Sequence, residues 1–116
     1  MSNETKVTGR LGEEIASKFL KKHGYTILER NFTTNFAEAD IIALYEDTIV
    51  IVEVKTRKNF EYTSASQSVN NIKQVKLKNL GLYYIDKWRL YDYNLRFDII
   101  ECYWQIKKIN HIINAF

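Results

Sequence analysis

The stretch Glu38-Ala39-Asp40-Ile41-Ile42-Ala43-Leu44-Tyr45-Glu46-Asp47-Thr48-Ile49-Val50-Ile51-Val52-Glu53-Val54-Lys55 decides the fold. Its two halves are rich in β-branched and apolar residues, and Glu46-Asp47 supplies a two-residue hairpin loop between them. With the turn there, Tyr45 faces Thr48. Counting back along both strands sets Asp40 opposite Glu53 and Glu38 opposite Lys55. The other face carries Ala39, Ile41 and Ala43 against Val54, Val52 and Val50, an apolar set suited to a core. A register shifted by one residue would set Asp40 opposite Val54 and mix the two faces. The hydrophobic pattern therefore selects the register that brings two carboxylates together.

Like charges directly opposite one another on a strand pair are destabilising, with Cβ atoms roughly 4.5–5.5 Å apart. A divalent cation accounts for their presence, since carboxylate oxygens with remaining water positions suit Mg²⁺. Lys55 projects from the same face as Glu53. It can position or help deprotonate a water and offset charge building on a phosphate, so metal plus lysine suits attack on phosphorus. The same alternation also describes a merely solvated face, in which Glu38 and Lys55 form a surface ion pair worth under about 1 kcal/mol. Spacing alone leaves both readings open.

Outward from this hairpin, periodicity predicts a helix over about 8–23, with Leu11, Ile15, Phe19 and Leu20 on one face and Gly24 ending it. Residues 25–31 read as a further strand, 57–68 as a polar loop, and 69–86 as a second helix. The expected stripe of that helix is Val69, Ile72, Leu80 and Tyr83, with Gly81 weakening its continuity. Residues 96–103 and 105–113 read as two closing strands. The predicted order is α-β-β-β-α-β-β, an α/β fold with a mixed central sheet flanked by helices.

The chain has 116 residues, 46% hydrophobic and 27% charged, with a net charge of +3 and no proline. That length and balance predict one domain over 9–116 behind a flexible N-terminus, 1–8. The single cysteine, Cys102, excludes an internal disulfide and a thiolate zinc cluster. His23 and His111 are not spaced as a zinc pair. No apolar run approaches the ~20 residues that span a bilayer. A cytoplasmic protein with no membrane partner is expected. The mild positive charge is compatible with nucleic acid without requiring it.

Asp40 followed by Glu53-Val54-Lys55 resembles the PD-(D/E)XK nuclease signature. More closely, the whole chain resembles the small YraN family of predicted endonucleases, related in fold to archaeal Holliday junction resolvases. The resemblance is carried by Gly9-Arg10-Leu11-Gly12-Glu13 with Ala16, by Gly24-Tyr25 and Asn31, and by Glu38-x-Asp40-Ile41-Ile42. It continues through Val52-Glu53-Val54-Lys55-Thr56-Arg57, Lys73, Arg96-Phe97-Asp98 and His111-Ile112-Ile113-Asn114-Ala115-Phe116. Ala37 and Ala39 stand where the family usually has glycine and isoleucine, and Thr33-Thr34-Asn35 where it tends to be basic.

The resemblance implies a restriction-endonuclease-like fold and metal-dependent hydrolysis of phosphodiester bonds in DNA, including branched or distorted DNA. It implies that Asp40, Glu53 and the backbone carbonyl of Val54 hold Mg²⁺, with Mn²⁺ as an alternative, and that Lys55 acts on the water. Glu13 is implied as a further glutamate reaching the site from the first helix, though a helix-start carboxylate is also favoured by the dipole alone. Lys73 either snorkels or approaches as a phosphate contact. Arg57 and Lys58 read equally as contacts to flanking phosphates and as solvated loop charges. Asp98 reads as an ion pair with Arg96. Tyr83, Tyr84, Trp88, Tyr91, Tyr93, Tyr103 and Trp104 read as core or as a homodimer surface rather than base-stacking platforms. The competing reading is a catalytically silent nucleic-acid-binding or protein-interaction module that keeps the nuclease fold.

Overall fold

The computed structural model describes residues 2–57 and 69–116, with side chains from residue 9 onward in the first helix. Helix α1 (Ser2–Lys22) leads into strands β1 (Thr26–Thr33), β2 (Glu38–Tyr45) and β3 (Thr48–Arg57). Helix α2 (Asn71–Lys87), β4 (Asn94–Tyr103) and β5 (Lys108–Ile112) complete the expected order. The five strands lie in the order β1-β2-β3-β4-β5. Neighbours are antiparallel except β3 and β4, which are parallel. A parallel pair cannot be joined by a tight turn, so α2 serves as its crossover.

Each helix covers one face of the sheet. Ala16 and Leu20 of α1 pack on Ile41, Ala43, Val50, Val52, Ile100 and Cys102. Leu77, Leu80 and Tyr84 of α2 pack on Ile42, Ile49, Ile51, Phe97 and Ile99. β3 is covered on both sides, which is why Ile49-Val50-Ile51-Val52 is continuously apolar rather than alternating.

α1 starts at Ser2, earlier than apolar periodicity alone placed it. Leu11, expected in its buried stripe, is 52% exposed. The contact there is made by Gly12, where a Cβ would stand 2.2 Å from Thr56 Oγ1. The helix therefore lies against β3 closely enough to exclude a side chain. Gly24, at φ +91°, ends the helix and lets the Tyr25 N–H cap the Leu20 carbonyl at 2.9 Å. No helix among the described residues is long and apolar enough to cross a membrane.

The second helix corrects its expected stripe. Ile72 is 70% exposed and Tyr83 is exposed, whereas Leu77, Leu80, Gly81 and Tyr84 are buried and Val69 precedes the Asn70 cap. Apolar residues occur all round this helix, so periodicity could not choose the face. Gly81 chooses it: a Cβ there would meet Leu95 Cδ2 at 3.0 Å and Phe97 Cζ at 3.1 Å. The glycine marks a close approach to β4, not a weak point.

The C-terminal end is fastened to β4 by Asp98, which is fully buried. Its carboxylate accepts from Arg96 Nε and Nη2, both at 2.9 Å, and from the Asn114 N–H at 3.0 Å. His111 Nε2 lies 2.8 Å from it, and Arg96 also donates to the Tyr25 hydroxyl at 2.7 Å. Burial pushes the Asp98 carboxyl up, but the bonds from His111, Arg96 and Asn114 outweigh it and hold it below the usual carboxylate range. A depressed value means stability fully present above the unfolded-state pKa of about 4 and lost as pH falls through the lower folded value. Asp98→Asn should cost about 3 kcal/mol at neutral pH by leaving Arg96 uncompensated. Chemical denaturation should show the gap from wild type closing as the solution becomes acid. A gap independent of pH would refute the assignment.

Candidate active site

The β2–β3 ladder runs from Tyr45↔Thr48 to Ile41↔Val52 in the register the hydrophobic pattern selects. There it stops. The next free strand donor, the Val54 N–H, is taken by Asp40 Oδ2 at 2.8 Å instead of by a β2 carbonyl. β3 remains paired to β4 as far as Arg57↔Tyr103, while Glu38 pairs with Thr33 of β1. Three expectations built on a continuous hairpin are thereby corrected, the first being the direct pairing of Asp40 with Glu53, which the ladder does not reach. Glu38 is not the cross-strand partner of Lys55, and Ala39 packs with Ile42 on the α2 face rather than opposite Val54. All three follow from the side chain of Asp40 replacing a main-chain acceptor.

Asp40 and Glu53 therefore flank the point where two strands separate. Alternation along β3 puts Glu53 and Lys55 on the side covered by α2, and Asp40 lines the same cleft as Glu53. Glu53 is only 5% exposed, and Lys55 Nζ lies 3.5 Å from its Oε1. Lys73 Nζ donates to the same oxygen. The position of Lys73 is fixed locally: Asn70 Oδ1 accepts the Lys73 N–H at 2.9 Å and caps α2. The ammonium is thus delivered by the first turn of a helix whose start is set three residues earlier. A cleft of about 480 Å³ opens beside these groups, lined by Glu38, Asp40, Glu53, Asn70, Lys73 and Lys76 among others.

Burial pushes the Asp40 carboxyl up to about 7, aided by the neighbouring charges of Glu53 and Glu13 and opposed by the Val54 N–H and Lys73. Desolvation acts to lower Lys73, but the bond to Glu53 and the charges of Glu53 and Asp40 prevail and raise it. Lys73 is accordingly a fixed positive charge and no proton acceptor near neutrality.

Glu13 is half-buried and close enough for its charge to act on Asp40. Val54 is half-buried directly after Glu53. Arg57 is drawn to the buried Glu101 instead of solvent, with Nε 3.0 Å from Oε2 and its side chain 13% exposed. Lys58 lies outside the described residues. Among the described residues no three His, Cys, Asp or Glu side chains gather as a metal cluster.

Sequence reasoning passed over Glu101, which stands beside Lys55 in the β3–β4 register and accepts from Arg57 and from Asn110 Nδ2 at 3.0 Å. Only the parallel pairing reveals it, because Glu101 and Lys55 are far apart in the chain. Asn70 was passed over as a helix cap because periodicity starts the helix at Val69, and the His111–Asp98 contact joins residues that only strand pairing brings together.

The chain belongs to the uncharacterised protein family UPF0102, whose model matches residues 12–102. The UPF0102 protein of Clostridioides difficile is 43% identical over 116 residues, covering 100% of both chains. That of Caldanaerobacter subterraneus subsp. tengcongensis is 44% identical over 116 residues, spanning 96% of this chain and 95% of its own. A Thermodesulfovibrio yellowstonii member is 48% identical over 108 residues, spanning 93% and 94%.

The Asp40 geometry sets a stability penalty whose sign can be measured. A carboxyl raised to about 7 binds its proton more tightly folded than unfolded, so stability falls as pH rises from about 4 through 7. Asp40→Asn keeps an acceptor for the Val54 N–H and removes the charge. It should be more stable than wild type by roughly 1–3 kcal/mol at pH 8 and no more stable near pH 4. Thermal melts at the two pH values check this. A variant less stable at both would show that the charge is not the penalty.

Proposed function

We propose that this chain is a metal-dependent endodeoxyribonuclease of the PD-(D/E)XK kind. The observation that carries the reading is the opening of the β2–β3 ladder at Asp40. It sets two carboxylates of separate strands beside one cleft with two ammonium groups over them. A fold seeking only stability gains nothing from a half-buried carboxyl held near pH 7, and groups so perturbed cluster at functional sites. The donor set fits a hard cation: Asp40 and Glu53 carboxylates and the Val54 carbonyl, with water completing the shell, suit Mg²⁺ or Mn²⁺.

When bound there, such a cation supplies Lewis-acid stabilisation of phosphoryl charge and acidifies a coordinated water. The chain's own groups divide the remaining work. Lys55, beside Glu53, orients the attacking water and offsets charge accumulating on the phosphate. Lys73, which stays protonated, would serve as a second positive contact for phosphate beside a cation held by Glu53. Glu13 adds negative charge on the side of α1 and strengthens the preference for a cation. Glu101 holds Arg57 and so stiffens the strand that presents Glu53 and Lys55.

One observation favours the silent-module reading. Lys73 already neutralises the Glu53 oxygen that a metal would take, as in a site that has ceased turnover. Kinetics separates the two. Incubated with linear, flapped and four-way DNA, wild type should cleave with Mg²⁺ or Mn²⁺ and stop with chelator. Lys55→Ala should lose on the order of 10²–10³ in rate while still binding metal by calorimetry. Asp40→Asn should lose metal affinity and rate together. Equal trace cleavage by wild type and Lys55→Ala would overturn the enzymatic reading.

A further inference from the structure

The face of α2 that borders the cleft does not end there. Lys76 lines the cleft, and Asn79, Tyr83 and Lys87 follow it at spacings of three and four residues, all exposed. That spacing puts them on one helical face. Tyr83, 45% exposed, meets Phe36 edge to face at 6.5 Å between ring centres. Phe36 is held outward at the tip of the β1–β2 turn. Thr34 Oγ1 accepts the N–H groups of Phe36 at 3.2 Å and Ala37 at 2.9 Å, and Ala37 and Glu38 are themselves cleft residues. Beyond Tyr83, Lys87 sits 5.6 Å from the ring centres of both Phe32 and the exposed Trp88.

We propose that this face, with Phe36, is a binding track for an unpaired DNA strand leaving the cleft. The inference rests on the cleft being where DNA is held, and it names the substrate as DNA with a single-stranded segment next to the cut. Seven helical residues from Lys76 to Tyr83 span about 10 Å at 1.5 Å each. This is about three nucleotide steps at 3.4 Å, so one strand reaches both residues. The chemistry alternates as such a strand requires. Lys76 and Lys87 face phosphates, and the ring faces of Phe36, Tyr83 and Trp88 offer stacking surface to splayed bases without reading their identity. A duplex, with its bases stacked inside, offers nothing to these rings. Lys87 is placed for both duties, a cation over two rings and a phosphate partner.

Fluorescence anisotropy with chelator present, so that no strand is cut, tests the track on labelled oligo(dT) of about 20 nucleotides, a blunt duplex, and the duplex with a single-stranded tail. Wild type should prefer the single strand and the tailed duplex to the blunt one. Tyr83→Ala and Phe36→Ala should each weaken those two on the order of 10- to 100-fold, and the blunt duplex little. Both side chains are solvent-facing, and circular dichroism checks that the variants fold. Lys76→Glu, which alters no ring, should weaken all three. Trp104→Ala, an exposed aromatic on the β4–β5 turn, should change none. Unchanged binding in both ring variants, or equal loss on all three DNAs, overturns the track. So does a wild type that ignores single strands and forms a dimer dispersed by Tyr83→Ala. Strand preference that depends on Tyr83, without cleavage in Mg²⁺, would refute the hydrolytic reading and leave the track standing.

Discussion

A buried strand N–H must have an acceptor, and that requirement governs how a sheet can be opened. Between β2 and β3 the acceptor for Val54 is a side chain, Asp40 Oδ2, at 2.8 Å. The substitution lets the strands part without stranding a donor, and it fixes the carboxylate's orientation toward the gap. The same bond favours the charged form of Asp40, against burial and the charge of Glu53. Were the ladder continuous, Ala39 would lie across from Val54 and no cleft would form beside Glu53. The opening of the sheet and the placement of its acid group are thus one event.

The surrounding structure holds that opening in place. α1 lies against Thr56 through Gly12, so the strand cannot shift toward that helix. On the other face Asn70 fixes the start of α2 and with it the point from which Lys73 reaches Glu53. Along the far side of β3, Glu101 binds Arg57 and Asn110, joining three strands below the site. The carboxylate pair is gripped from the helix above, the helix behind and the strand beside it. Such support is what holds charged groups at a geometry they would not adopt in solution.

Much of this was legible in the chain because it is local. The hairpin register followed from which residues are apolar, and Glu46-Asp47 fixed the turn. The end of α1 followed from Gly24, and the element order from alternating patterns. What escaped was set by tertiary contact. The buried face of α2 could not be read from a helix that is apolar all round, since Ile72 and Leu80 look alike as letters. The Arg96–Asp98 pair was legible, but the partners that tie Asp98 and Glu101 to other strands, His111 of β5 and Arg57 of β3, are brought there only by strand pairing. The departure of Ala39 from the expected face needed a side-chain hydrogen bond that no pattern of polarity encodes. Asp40, Glu53, Lys55 and Lys73 were all legible as candidates, but the end of the ladder before Asp40 and Glu53 pair, and the cleft beside them, come from tertiary structure.

The parallel pairing of β3 with β4 also dictates an order of events during folding. Thr48 meets Asn94 and Arg57 meets Tyr103, so the central pair of the sheet closes only after a long intervening segment has been made and α2 laid down. As the chain emerges from a ribosome, β1, β2 and β3 can already assemble as a local meander. β3 then presents an unpaired apolar edge, Ile49 to Val52, until its neighbour arrives. Such edges recruit other chains when left open. Non-local closure is also the slow kind. The strand that carries Glu53 and Lys55 is therefore the segment most exposed to misassociation during synthesis, and early docking of α1 through Ala16 and Leu20 covers one of its two faces in that interval.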